Sequence, residues 1–191
     1  QAWRRESAED EESLVDEFTH SLLLDTPVMG ELPSLNARFE HVSWFELTGN
    51  GTTTQVDGTL RCFPALQTLA LSQCPVGSLP EPIFSMPKLA SLELTQCGIR
   101  LTPLSARSFN DLAALEFVDM SDNPLGETPD VSSLHNLSSL HLRNAGLKAM
   151  PEGVFQLKAL HTLDLSGNQI EDIGAGLLET DTVFHEDSDL S

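Results

Sequence analysis

The chain predicts an α/β solenoid in which short strands stack side by side into one parallel sheet, each followed by a returning convex segment. Three observations predict it. A run of the form apolar-x-x-apolar-x-apolar starts at Val42, Leu66, Leu89, Leu115, Leu137 and Leu160, at intervals of 22 to 26 residues. Within each run the fourth and sixth places are apolar while the places between them vary, the period of a strand with one buried face. The ninth place then holds Asn50, Cys74, Cys97, Asn123, Ala145 or Asn168. Asn and Cys are small and polar enough to turn inward and satisfy turn peptides that would otherwise be buried unpaired.

A period of this length with this pattern is that of a leucine-rich repeat, a right-handed solenoid with a parallel concave sheet. One strand alone cannot bury its apolar face, so each repeat needs the next. Residues 1–35 read as an N-terminal helical cap and a half repeat, 36–178 as six repeats, and 179–191 as an acidic end. In the cap, Ser7 to Leu24 reads as an amphipathic helix. Ser7 and Asp10 form a capping box, acidic residues favour the positive end of the helix dipole, and Leu14, Val15, Phe18 and Leu22 make one apolar stripe. Asp25-Thr26-Pro27 stops it. Leu32-Pro33 and Phe39 match the second half of a repeat that has no strand.

The strands follow as Val42/Phe45/Leu47, Leu66/Leu69/Leu71, Leu89/Leu92/Leu94, Leu115/Val118/Met120, Leu137/Leu140/Leu142 and Leu160/Leu163/Leu165. Pro80, Pro103, Pro129 and Pro151 recur at the fifteenth place, after the turn, where no ladder N–H is required. Ile83, Met86, Val154 and Leu157 line the returning segments. The third repeat is longest, and Arg100 to Asp111 should bulge outward. Leu177 and Leu178 continue the sixth repeat. His185 to Ser191 reads as a seventh strand cut short, and the chain as a piece of a longer protein.

The net charge of −19 argues against nucleic acid, whose backbone demands Lys and Arg. Seven acidic residues lie between Glu6 and Glu17 and seven between Glu171 and Asp189, so the acidity belongs partly to the ends and keeps an elongated domain soluble. Its functional counterpart is attraction to a basic protein partner. Cys74 and Cys97 belong to the inward ladder, Cys62 to the apolar entry of the second repeat, and paired cysteine caps are absent, which favours a reducing cytosol. No CxxC pair or His cluster has metal spacing, no cofactor is implied, and no run of apolar residues suits a membrane. Asn50-Gly-Thr and Asn136-Leu-Ser match glycosylation sequons, but Asn50 is expected to point inward.

Function is expected on the concave face. Its third places are Trp44, Thr68, Ser91, Phe117, Ser139 and Thr162, and its fifth places Glu46, Ala70, Glu93, Asp119, His141 and Asp164. Exposed aromatics in a charged field suit an interface anchor. The candidate binding residues are Trp44, Glu46, Glu93, Phe117, Asp119, His141, Arg143 and Asp164. Each has a plainer scaffold reading: an acidic fifth place is ordinary in such repeats, as in Leu163-Asp164-Leu165-Ser166, Trp44 and Phe117 also suit packing over neighbouring strands, and His141 with Arg143 suits a solvated pair. His135, His141 and His161 stand on successive repeats, yet no nucleophile has an evident base and orienter, so the segment reads as a binding module and not as an enzyme.

The runs Val56 to Ser72, Met86 to Leu94 and Asn123 to Ile170, with "LRCFP" at Leu60 to Pro64 and "NPLG-x-x-PD" at Asn123 to Asp130, resemble the leucine-rich region of bacterial effector or toxin-like proteins of the novel E3 ubiquitin ligase (IpaH-like) group. The resemblance covers Ser21 to Leu178. It implies a parent secreted by bacteria into the host cytoplasm, whose repeats bind the substrate protein while a separate helical domain carries a catalytic Cys. Cys62, Cys74 and Cys97 do not match that nucleophile, and these repeats are longer than those of the short effectors. The alternatives are a stand-alone intracellular adaptor or scaffold without enzymatic activity, and an extracellular receptor-like domain.

Overall fold

In the computed structural model, residues 20–24, 30–32, 36–52 and 54–171 are described. Seven strands form one open parallel sheet: β1 (Ser21–Leu24), β3 (Trp44–Thr48), β5 (Thr68–Ser72), β6 (Ser91–Thr95), β7 (Phe117–Asp119), β8 (Ser139–His141) and β9 (Thr162–Asp164), in that spatial order. Two short strands, β2 (Gly30–Glu31) and β4 (Thr54–Gln55), pair in parallel away from it. The order is sequential without crossover, as expected where each repeat stacks only on its neighbours. The fold is a leucine-rich repeat solenoid.

The register aligns the repeats place for place. Phe45, Leu69, Leu92, Val118, Leu140 and Leu163 are successive partners across the sheet. Their side chains, with those of Leu47, Leu71, Leu94, Met120 and Leu142, turn to one side and are almost all buried. Phe63 and Phe109 fill the space behind them. Phe63 packs against both Phe39 and Phe45, each at a ring-centroid distance of 5.6 Å.

One expectation fails at the N-terminal end. Ser21–Leu24 is a strand, not the end of a helix, and Leu22 and Leu24 pair with Phe45 and Leu47. The half repeat does have its strand. Counting back in this register places Thr19 at the first place and Pro27 at the ninth, so the two marker residues of the pattern are missing. The rest of the proposed helix, residues 7–19, lies outside the described residues, as do Leu177, Leu178 and the acidic end at 179–191.

The returning segments vary with repeat length. The second and fifth repeats use short 3-10 turns, Glu81–Ser85 and Val154–Gln156. The second also closes on the segment before it through an ion pair between Arg61 and Glu81. A one-turn helix, α1 (Asp57–Leu60), enters the second repeat. In the third repeat the extra residues make a helix, α2 (Pro103–Ser108), so the predicted bulge is helical. Pro103 takes the first helical position, where its missing N–H costs nothing. Thr102 and Ser105 cap each other reciprocally, the Ser105 amide donating to Thr102 Oγ1 at 3.2 Å and the Thr102 amide to Ser105 Oγ at 2.8 Å.

The ninth-place ladder holds the turns together. Asn123 Oδ1 accepts from the amides of Cys97 and Ile99 in the preceding repeat, at 2.9 and 3.0 Å. Its Nδ2 donates to the carbonyls of Leu94 and Met120. Asn168 does the same for Ala145 and Leu147, and for Leu142 and Leu165. Where the following rung is Cys97 or Ala145, no amide oxygen arrives: the Val76 N–H turns back on its own repeat, to the Cys74 carbonyl at 2.7 Å, and the Leu125 N–H is shared between the Asn123 carbonyl at 2.9 Å and the Ala145 carbonyl of the next repeat at 3.1 Å. Cys74 and Cys97 donate to strand carbonyls on both sides. Burial pushes the Cys97 thiol up to about 12, against a smaller opposing pull from a backbone hydrogen bond at Cys74, so it is a structural donor and not a nucleophile.

Asn50 departs from the ladder. It is exposed, and its Oδ1 accepts from the Thr52 amide at 3.2 Å and hydroxyl at 2.8 Å. The expectation that it points inward is therefore wrong.

Replacing Asn123 with Ala is expected to lower unfolding free energy by about 1–3 kcal/mol, because two buried amides and two carbonyls lose a shared partner. Equilibrium denaturation measures it, and a change near zero overturns the ladder. Leu140→Ala, at a fully buried site, should cost about 2–5 kcal/mol. Leu163→Ala, at a half-buried one, should cost less.

Candidate functional site

The sheet face opposite the core carries side chains that the fold does not consume. Alternation places the third and fifth places of every repeat there. The fifth-place row runs Leu23, Glu46, Ala70, Glu93, Asp119, His141 and Asp164 in direct register. The third-place row runs Ser21, Trp44, Thr68, Ser91, Phe117, Ser139 and Thr162.

Seven of the eight predicted binding residues fall on these rows. Trp44 is 43% exposed, and its Nε1 donates to Glu46 Oε2 at 3.3 Å on the same strand. Glu93 accepts from the Ser91 hydroxyl at 3.2 Å. Phe117 is half-buried and leans on His141, ring centroids 5.5 Å apart at 36°, so this aromatic packs over a neighbouring strand. Arg143 is the exception. It lies beyond the end of β8, and its guanidinium reaches Asp122 at 3.3 Å.

The carboxylates divide into two kinds. Asp164 accepts from both the Ser166 amide (2.9 Å) and hydroxyl (2.7 Å), and Asp119 from the Ser121 amide at 2.9 Å. These bonds shape the turns after the strands, where the chain enters left-handed conformation at Asp122 and Gly167. Partial burial raises the Asp164 carboxyl, but the Ser166 hydroxyl and amide, with His141 and Arg143, outweigh it and hold it below its usual value. Glu46 and Glu93 have only side-chain partners and take no part in a turn.

Leu23 was not anticipated. It is 61% exposed beside Glu46 and next to Trp44, and together with Trp44 it places two large apolar side chains on the open face. The signal was present in the alternation Leu22-Leu23-Leu24, one repeat length before Phe45 to Leu47, but the apolar stripe of the proposed helix absorbed it.

Among the described residues, no group of three or more His, Cys, Asp or Glu is placed to hold a metal ion. No described helix is long and apolar enough to cross a membrane. His141 stands between Asp119 and Asp164 in its row and lies against the Phe117 ring.

A family model described as leucine rich repeat matches residues 135–179. No curated protein sequence matches the chain. Among solved structures it is similar to an internalin (inlF) from Listeria monocytogenes, at 23% identity over 87% of this chain, with a TM-score of 0.62. An internalin C2 from the same organism is 17% identical over 86% of this chain, with a TM-score of 0.64; the match covers 78% of that chain. The leucine-rich repeat domain of the type III effector XopL is 26% identical over 83% of this chain, with a TM-score of 0.60. The match covers 48% of the inlF chain and 57% of the XopL chain. Each of these structures belongs to a bacterial protein built on the same repeats.

A carboxyl with a lowered native pKa contributes stability above its unfolded pKa of about 3.9 and loses it as pH falls through the native value. Asp164→Asn should therefore be less stable than the parent chain at neutral pH, with the gap closing in acid below that point. Thermal unfolding from pH 7 to pH 2 checks this. A gap constant with pH would assign Asp164 a purely steric role.

Proposed function

We propose that this chain is a protein-recognition segment that binds its partner through the open face of the sheet. The observation that carries the reading is the division of labour along each strand. Alternate residues build the core, and those between them leave Leu23 and Trp44 exposed beside Glu46, an apolar anchor in an acidic field. Such a composition suits an interface with a basic protein: buried aromatics supply most of the affinity, and charges set orientation and encounter rate. The net charge of −19 favours the same partners.

The finer reading is that the segment belongs to a bacterial effector-type E3 ubiquitin ligase acting in the host cytoplasm, where the repeats select the protein to be modified. Its support is the resemblance carried by Leu60 to Pro64 and Asn123 to Asp130, and the similarity to the repeat domain of a type III effector. The catalytic cysteine of such a parent would lie in another domain, since Cys74 and Cys97 are committed to the ladder.

Proximity labelling in host cells, comparing the parent sequence with the Trp44→Ala/Phe117→Ala double variant, tests the binding reading. The variant should still unfold cooperatively, somewhat below the parent chain because Phe117 is half-buried against His141, and lose a defined set of labelled proteins, with affinity for each reduced about tenfold or more. Unchanged labelling would move the site off the open face. A full reading frame without a domain carrying a reactive cysteine would sink the ligase reading and leave the binding one standing.

A further inference from the structure

We infer that the segment of the partner seated on this face is a basic α-helix, lying along the strands in a trough between Trp44 and Phe117. This rests on the open-face reading above and adds the form and charge of the occupant.

The trough follows from the register. Trp44 on β3 and Phe117 on β7 both occupy third places, and only β5 and β6 lie between them. Three strand spacings put the two aromatics about 14 Å apart. The floor between them is Thr68, Ala70 and Ser91, all small and all partly exposed. Neither aromatic folds across that floor. The Trp44 indole is tied to Glu46 on its own strand, and Phe117 leans the other way, onto His141 of β8. An α-helix with its side chains is about 10–12 Å across, which fills this width and touches both walls. An extended strand, at less than half that breadth, would meet only one. The five-residue strands β3, β5 and β6 run about 16 Å, the length of three helical turns.

Charge settles the chemistry of the occupant. From the second to the seventh place, the four rungs of the trough (43–48, 67–72, 90–95 and 116–121) hold Glu46, Glu93, Glu116 and Asp119 and no Lys, Arg or His. Ser91 holds the Glu93 carboxylate over the floor. Glu46 stands at one wall and Asp119 at the other. A helix with Lys or Arg at i and i+4, and an aliphatic side chain toward Ala70, meets Glu46, Glu93 and Asp119, with Glu116 adding its charge just before β7. A second copy of this chain is disfavoured, because both faces would be acidic.

Selection from a phage-displayed library of random 20-residue peptides against the full chain tests this, with the Ala70→Arg and Glu93→Lys variants as counter-targets. Ala70→Arg fills the floor and Glu93→Lys reverses its charge. Both sites are solvent-facing, and unchanged melting temperatures show that the variants fold. Enriched peptides should carry Lys or Arg at i, i+3 or i+4 spacing, turn helical on binding by circular dichroism, and lose about tenfold or more in affinity against either variant. Peptides with alternating basic residues that bind in extended form would overturn the helix while leaving open-face recognition intact. Peptides insensitive to both variants, a failure to enrich, or self-association of the chain would overturn the inference. Insensitivity to Trp44→Ala/Phe117→Ala as well would remove the open-face reading with it.

Discussion

The structure depends on how the peptide groups of the turn after each strand are satisfied where water does not reach. A strand exchanges hydrogen bonds with its neighbours as a matter of geometry, but the chain then leaves the sheet and carries its N–H and C=O groups into the core. An unpaired buried amide costs about 1–3 kcal/mol, and every repeat would incur that cost more than once. Asn123 and Asn168 meet it by spanning two repeats, accepting from the ninth- and eleventh-place amides of one and donating to sixth-place carbonyls of both. The bond is inter-repeat, so it fixes the stacking distance and register together. Where the amide is lacking, the Val76 N–H folds back on its own turn, the Leu125 N–H also crosses to the Ala145 carbonyl, and the thiols still donate to the strand carbonyls.

That constraint determines which side chains are free. With the fourth, sixth and ninth places committed to the core, only the third and fifth face outward on the sheet. Some of these are drawn into turn architecture as well. Asp119 and Asp164 bond the residues that follow them, so their charge reaches solvent from a group whose position is already required. The face is therefore less acidic in disposable charge than its composition suggests. Glu46 and Glu93, on the N-terminal half with Leu23, Trp44 and the small side chains of β5 and β6, hold the larger share of what remains for a partner.

The repeats from Val42 onward were legible because two independent signals, strand alternation and an Asn or Cys at the ninth place, coincide in all but the fifth, where Ala145 leaves the alternation alone. The first rung was not legible because both signals fail there: Thr19 stands in the sequence where an apolar residue marks the start, Pro27 where Asn or Cys marks the turn, and Leu22 falls in line with the helical spacing of Leu14, Val15 and Phe18. Asn50 misled because its residue type suits a cap of the turn that follows as well as it suits the ladder, and its side-chain oxygen takes the Thr52 amide and hydroxyl instead. The rows of the candidate site could be read in advance, because a period of two assigns faces. The lean of Phe117 toward His141, and the departure of Arg143 to Asp122, depend on diagonal neighbours and on a left-handed turn at Asp122, neither encoded in the strand's own sequence.

The separation of core from face has an energetic consequence for recognition. Binding is weakened when a surface must be ordered before it makes contact, at about 0.5–1.5 kcal/mol for each immobilised side chain. Here the backbone under the face is held by neighbours on both sides from β3 to β8, and several outward side chains already have intramolecular partners: Trp44 with Glu46, Ser91 with Glu93, Phe117 with His141. These partners are surface bonds that solvent also offers, so they orient the groups without satisfying them so fully that a ligand has nothing to add. A flat sheet of the same composition in a small domain would have to supply its own rigidity from its own core. In a solenoid each rung borrows it from the next, so outward residues can be displayed in fixed positions by strands only three to five residues long, and those that the turns do not use, unlike Asp119 and Asp164, are free to answer to a partner.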